Sequence, residues 1–295
     1  MEHHFLDLAG RGPNGAALRL HYVEAGAGPL VVLLHGFPEF WYSWRFQIPA
    51  LAAAGHRVVA VDMRGYNLSD KPPKVADYAL SELSADVAAL IGGLGEEKAF
   101  IVGHDWGGIV AWDFAMNYPA LLRGLAVLNL PHPVAMARGL RTLRQLKKSW
   151  YVFAFQIPNG PERMIARDDY ALLRRSVAGG IRRSRRAAPE DIEPYVDAMK
   201  QPGAMTGAIN YYRAAVRGAR GARARLHRIE LPVLVVWGER DDYLGVEMAE
   251  PPAKWVPDVR VERIADASHF VQVDAPDEVN EKLVRYLGER RSAGA

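Results

Sequence analysis

The chain contains no cysteine, so neither a disulfide framework nor a thiolate metal site is open to it. Long apolar runs are missing too: nothing approaches the roughly 18 consecutive apolar residues of a membrane-spanning helix. The opening stretch Met1-Glu2-His3-His4-Phe5-Leu6-Asp7 places an acid early and lacks a basic segment followed by an apolar core, so no secretory leader is expected. Internal repeats and low-complexity linkers are absent. The histidines lack ligand spacing: His3 and His4 sit at the terminus, and His35 and His132 belong to loops where a structural role is expected. No metal and no other cofactor is implied, and the expectation is a cytoplasmic protein with no membrane partner.

What is present is a globular composition. With 295 residues, 49% of them hydrophobic and 24% charged, the chain is long enough to bury a substantial core in one large domain or two smaller ones. The net charge of +3 hides an asymmetry. Residues 133–228 hold 20 Lys/Arg against 7 Asp/Glu, and the remainder holds 17 against 27. A basic block can attract nucleic acid or anionic lipid. Here the arginines recur between Ala and Gly with no interleaved stacking aromatics and no nucleic-acid motif, so a solvated helical surface is expected and no nucleic-acid partner.

Period and punctuation order the elements. Residues 17–24 alternate as a half-buried strand at an antiparallel edge. Leu30 to Leu34 is a continuous apolar run, as in a strand covered by helices on both faces. It ends in His35-Gly36-Phe37-Pro38-Glu39. An amphipathic stretch from Trp44 to Ala54 leads to a third buried strand, Arg57 to Val61, and Ser81 to Leu90 predicts a helix with Ser81 as its cap. Further strands are expected at Ala99 to Val102, Leu125 to Leu130, Pro232 to Trp237 and Val259 to Ile264, with a last helix from Pro276 to Leu287 and a frayed tail from Arg291. Strands alternating with helices mean a mostly parallel α/β sheet with right-handed crossovers. Between Pro133 and Arg228 the rhythm breaks into helix-like stretches at Val134 to Phe155, Met164 to Val177, Pro189 to Lys200 and Met205 to Val216. The expected organisation is a core of residues 1–132 and 229–295 with a helical cap, 133–228, inserted between two strands.

The stretch Gly103-His104-Asp105-Trp106-Gly107-Gly108 lies between a short apolar run and the helical pattern of Ile109 to Met116. It has the form Gly-x-nucleophile-x-Gly of a nucleophile elbow, with Asp105 in the place commonly held by Ser. The plainer alternative is a glycine-rich loop in which Asp105 caps a helix. Two other strand ends decide between them. Trp237-Gly238-Glu239-Arg240-Asp241-Asp242 ends one strand in acids, and Ala267-Ser268-His269-Phe270 follows the next with a histidine. The chain order is nucleophile, acid, histidine, each at its own strand end, so Asp105, Asp241 and His269 are expected to converge; Asp242 is the competing acid.

An aspartate nucleophile changes the chemistry. Its ordinary pKa near 3.9 leaves it charged at neutral pH, so attack needs no base. His269 is then free to activate water in a second step, with Asp241 fixing its tautomer. Attack on a saturated carbon leaves an ester whose hydrolysis passes through an oxyanion, and the main-chain N–H groups of Phe37 and Trp106 are the expected donors to it.

The combination HGFPE, GHDWGG, WGERDD and ASHF resembles the epoxide hydrolases of the α/β-hydrolase fold over nearly the whole chain. The resemblance implies two cap tyrosines that protonate the epoxide oxygen as the ring opens. By motif position within Ser149 to Gln156 and Asn210-Tyr211-Tyr212-Arg213 these are Tyr151 and Tyr212, with Tyr211 as an adjacent rival phenol. It also implies a cis peptide before Pro38. Phe37, Pro38, Trp106, Trp150, Phe155 and Tyr211 are expected around the substrate; Trp150, Phe153 and Phe155 suggest an apolar pocket, hence lipophilic epoxides. The nearest alternative is a haloalkane dehalogenase using the same triad, with the Trp106 indole as a halide donor, although Phe37 offers no second one. A ligand-binding protein that keeps the fold without turnover is the alternative from another class. Small-molecule substrate and water are the expected partners, and the chain is expected to be a monomer or homodimer.

Overall fold

The computed structural model describes residues 1–181, 184, 187–219 and 221–293. Eight strands form one sheet: β1 (Glu2–Leu8), β2 (Leu18–Ala25), β3 (Leu30–Leu34), β4 (Arg57–Val61), β5 (Ala99–His104), β6 (Leu122–Leu128), β7 (Val233–Gly238) and β8 (Val259–Ile264). They lie in the order β1-β2-β4-β3-β5-β6-β7-β8, with β1 and β2 antiparallel to their neighbours and β4 through β8 running parallel. The strand read as an edge, β2, is an inner strand. The edge is β1, whose HHFLDL run is mostly exposed and shows little apolar contrast, so its pattern is weak in sequence.

Every residue of β3 and β5 is buried. This is the reason their sequences are unbroken apolar runs rather than alternations: helices cover both faces. Beneath one face lie α1 (Gln47–Ala53), the short α10 (Val271–Asp274) and α11 (Pro276–Ala293), with Trp44, Ile48, Leu51, Val271, Val279 and Leu283 in one core cluster. The other face carries α2 (Leu80–Gly93) and α3 (Trp106–Asn117), with Val87, Leu90, Val110 and Phe114 in the second. Helix α2 begins at Leu80 with Ala79 at its N-cap, and Ser81 is inside the first turn rather than capping it. Helix α11 continues to Ala293, through the first residues of the tail expected to fray; residues 294 and 295 lie outside the described residues.

Six helices stand between β6 and β7 among the described residues: α4 (Pro133–Gly139), α5 (Leu143–Lys148), α6 (Trp150–Ala154), α7 (Gly160–Ile181), α8 (Ile192–Lys200) and α9 (Ala204–Gly218). The stretch read as one helix from Val134 to Phe155 is thus three short ones. Thr142 interrupts it, accepting from the Gln145 N–H as the cap of α5. Helix α7 is broken at 167–170, where Asp168, Asp169 and Tyr170 have positive φ. No helix among the described residues is long and apolar enough to cross a membrane.

Chain order reverses across the sheet at β3, with β4 on one side and β5 on the other. In open α/β sheets the crevice at the carboxyl ends of such strands is where ligands bind. The loops after β3 and β5 both open into it.

Candidate active site

Asp105 follows β5 with φ 48° and ψ −119°, a conformation that costs a non-glycine residue about 1–3 kcal/mol. Its neighbours explain how the turn closes. A Cβ on Gly103 would stand 2.3 Å from the Gly107 carbonyl oxygen, and one on Gly107 would stand 2.1 Å from the carbonyl oxygen of Leu34. Only glycine lets helix, turn and β3 approach so closely. The Asp105 side chain makes no cap hydrogen bond to α3. It points instead toward the loop after β3, where the Phe37 N–H donates to Oδ1 at 2.9 Å. The Trp106 N–H is the first of α3 and has no acceptor within its helix. The Phe37–Pro38 peptide is cis.

From the far strand ends, His269 Nε2 lies 3.5 Å from Asp105 Oδ2, and Nδ1 lies 2.8 Å from Asp241 Oδ2. Asp241 is surrounded by donors. Oδ1 accepts from the Tyr243 N–H at 2.7 Å and the Leu244 N–H at 2.8 Å; Oδ2 accepts also from Asn129 Nδ2 at 2.8 Å. Of the two adjacent acids Asp241 faces His269, while Asp242 is exposed at the cavity wall.

Burial opposes charge on all three groups, and each is pulled the other way by its partners. For Asp105 the hydrogen bond and charge of His269 outweigh burial and hold the carboxyl below its usual range. Asp241 is likewise held low, by the His269 charge and hydrogen bond and then by Asn129 and the Leu244 N–H. His269 is desolvated, yet the Asp241 charge and its hydrogen bonds to both carboxylates hold its pKa well above the ordinary value.

A second buried network joins the loops after β3, β5 and β8 from below. Glu39 Oε2 accepts from the Gly36 N–H at 2.7 Å and meets His104 Nδ1 at 2.7 Å. His104 Nε2 reaches the His269 carbonyl oxygen at 2.8 Å, and Gln272 Nε2 donates to Glu39 Oε1 at 2.8 Å. All are shut off from solvent. His35 is locked by its own pair of bonds: Nδ1 lies 2.9 Å from the Gly36 oxygen, and Nε2 accepts from the Met63 N–H at 3.0 Å.

Above Asp105 lies a cavity of about 440 Å³. Phe37, Pro38 and His269 complete its floor; Tyr151, Phe155 and Tyr212 form one wall; Ile165, Leu173 and Phe270 form another. The Tyr212 ring meets Phe37, Phe155, Trp106 and Tyr151 edge-on, with centroids 4.9 to 5.8 Å apart. Arg213 fixes this wall, donating to the carbonyl oxygens of Phe155 and Ile157 at 3.0 Å each and pairing with Glu162 at 2.7 Å. Burial raises both phenols, Tyr151 and Tyr212, and the charge of Asp105 adds to it.

Three expectations about the wall are corrected. Tyr211 is fully buried behind it, and its hydroxyl donates to the Arg64 carbonyl oxygen at 2.8 Å. The Trp106 ring stands edge-on behind Tyr212, with centroids 4.9 Å apart, and does not line the cavity. Phe153 is 62% exposed on the outer face of α6. Each follows from helix phase: adjacent residues on a helix point about 100° apart, so only one of Tyr211 and Tyr212 can face inward.

Asn129, Glu39, His104 and Gln272 were not singled out from sequence, and neither was Tyr243, whose ring stands 5.1 Å from that of His269. Glu39 and His104 were within reach, since both sit inside the motifs already quoted. Asn129 has φ 41° at the end of β6; nothing in its own sequence context marks it.

The sheet order, the strained acid elbow and the three converging strand ends define an α/β hydrolase. The α/β hydrolase fold family matches residues 29–276. Epoxide hydrolase 1 of Caenorhabditis elegans is 41% identical over 92% of this chain and 68% of its own length. The AB hydrolase superfamily protein YfhM of Bacillus subtilis is 39% identical over 93% of this chain and 96% of its own. A crystal structure of the Bacillus megaterium epoxide hydrolase with an inhibitor superposes with a TM-score of 0.84 at 33% identity, covering 92% of this chain and 97% of that one. The chain belongs to the α/β hydrolase fold family, in its epoxide hydrolase branch.

Proposed function

We propose that the protein converts a lipophilic epoxide and water to a vicinal diol through a covalent ester on Asp105. The observation that carries this reading is a carboxylate, not a hydroxyl, at the elbow, 3.5 Å from the imidazole of His269 and beneath two cavity-facing phenols. The Asp105 carboxylate attacks a ring carbon; the carbon–oxygen bond breaks, and the alkoxide takes a proton from Tyr151 or Tyr212. Both phenols are raised above their ordinary pKa, so they stay protonated well into alkaline solution and are available as acids.

Alkylation then changes the base. While Asp105 is ionised, His269 lies between two carboxylates that favour its proton. Esterification removes one of those charges, so the imidazole gives up its proton, which restores the tyrosine hydroxyl that protonated the alkoxide and leaves His269 a neutral base. His269 deprotonates a water that attacks the ester carbonyl. The Phe37 and Trp106 amides receive the oxyanion, and collapse releases the diol and restores Asp105. Residues 133–228 act as the cap that closes the cavity over the core segments 1–132 and 229–295.

Halide release is disfavoured because Trp106 does not line the cavity and Phe37, which does, has no side-chain donor. The test is turnover of aryl and alkyl epoxides beside haloalkanes by the wild type and Asp105→Ala. Diol that disappears in the variant is expected; halide release without diol would reassign the site, and turnover of neither would favour the ligand-binding alternative.

A further inference from the structure

Large exposed apolar side chains recur within one segment of the chain, residues 140–157. Leu140, Leu143, Trp150, Phe153 and Ile157 are all exposed, Leu143 at 78% and Trp150 and Phe153 at 62% each. Trp150 and Phe153 are three apart on α6 and therefore share a face. Single exposed apolar residues are ordinary on a soluble protein; a cluster of this kind marks a contact surface.

The same segment is basic and free of acids. From Pro133 through Pro161 it contains Arg138, Arg141, Arg144, Lys147 and Lys148 and no Asp or Glu. Lys148 is engaged with the Asp241 carbonyl oxygen at 2.7 Å, and Arg144 is 3.9 Å from Glu247. Arg138, Arg141 and Lys147 are exposed. Lys147 and Trp150 are exposed and also line the cavity above Asp105, so this basic and apolar segment borders the cavity.

We propose that this segment docks on the surface of an anionic lipid bilayer, with Leu143, Trp150 and Phe153 entering the interface and the arginines and Lys147 meeting the headgroup phosphates. Charge complementarity selects the partner. A two-fold contact with a second copy would set the same cations against each other, which disfavours it. Nucleic acid would supply the anions but leave Leu143 and Leu140 against phosphate with nothing apolar to receive them. A bilayer surface offers both chemistries at adjacent depths, and an aromatic ring such as that of Trp150 favours this boundary. The attachment is peripheral, since no helix among the described residues can cross the membrane. Docking brings the cavity that this segment borders to the phase in which lipophilic molecules concentrate. The inference concerns binding alone and does not depend on the reaction proposed above.

The test is co-sedimentation of the full chain, without substrate, with vesicles of phosphatidylcholine alone and of phosphatidylcholine with about one third phosphatidylglycerol. Binding to the anionic vesicles that weakens with added salt is expected, with little binding to the neutral ones. Arg138→Gln and Arg141→Gln should each lower the partition coefficient about fivefold. Leu143→Ser with Phe153→Ser should lower it roughly tenfold. None of these four residues lines the cavity, so diol formation from a water-soluble epoxide and the thermal midpoint should stay at wild-type values in all variants, which separates lost docking from lost folding. Equal binding to both vesicle types, or variants that bind like the wild type, would overturn the proposal. So would a dimer dissolved by the Leu143→Ser, Phe153→Ser pair, or salt-sensitive DNA binding that displaces the vesicles.

Discussion

Replacing Asp241 by Asn exchanges one oxygen for an NH2 group at a position where every neighbour is a donor. With the amide nitrogen at the Oδ1 site it faces the N–H groups of Tyr243 and Leu244; at the Oδ2 site it faces Asn129 Nδ2 and His269 Nδ1. The first arrangement leaves two buried backbone donors unpaired, at about 1–3 kcal/mol each. The second can be relieved by a flip of the His269 tautomer, which places the proton on Nε2. That nitrogen can then no longer take a proton from water. Loss of the Asp241 charge also removes the leading influence that raises the imidazole, so His269 should titrate at lower pH. Ester hydrolysis should therefore slow by about 10³–10⁴, by analogy with the wrong-tautomer effect in other histidine-acid pairs. Attack by Asp105 needs no base and should suffer much less. Rapid-quench mass spectrometry of Asp241→Asn with excess epoxide should show the ester building up within the first turnover, while Asp242→Asn behaves as wild type. If both half-reactions slow equally, or the Asp242 variant accumulates ester instead, the assignment of Asp241 as the orienting acid is wrong.

Tyr151→Phe and Tyr212→Phe should each slow ring opening by about 10²-fold, and the pair together should nearly abolish it, read as the rate of ester formation in single turnovers. Because both phenols are raised, ester formation in the wild type should show no alkaline loss until well above pH about 10. His132, buried and pushed down to about 4, predicts a stability loss in acid. The unfolded chain binds this proton first, so stability should fall as pH drops from about 6.5 to about 4 and then level off, by up to roughly 3 kcal/mol. Urea unfolding of His132→Asn, which keeps an acceptor for the Val134 N–H, should lose that slope; an unchanged slope would place the acid sensitivity elsewhere.

The legible parts of this chain were those where period and position carry the information. β3, β4 and β7 are short apolar runs bounded by turn residues, as helices on both faces demand, whereas the edge strand β8 alternates as VRVERI. The elbow was readable because a crowded turn excludes every residue but glycine at 103 and 107. β1 was missed because Phe5 on its exposed face and His4 on its inner face blur the alternation that Leu6 and Leu8 carry. The helices between β6 and β7 were found as a region and misjudged in detail: Thr142 and the positive-φ run in α7 are tertiary choices that local propensity does not dictate. Asn129 could not be read, since its role exists only where the ends of β6 and β7 meet.

The most direct test of the two-step scheme is intact-mass analysis of His269→Gln after exposure to an epoxide that the wild type turns over. The scheme predicts a stable adduct heavier by one epoxide, localised by peptide mapping to the peptide containing Asp105, with diol formation reduced to at most one equivalent. An unmodified protein, or an adduct on any other residue, would contradict it.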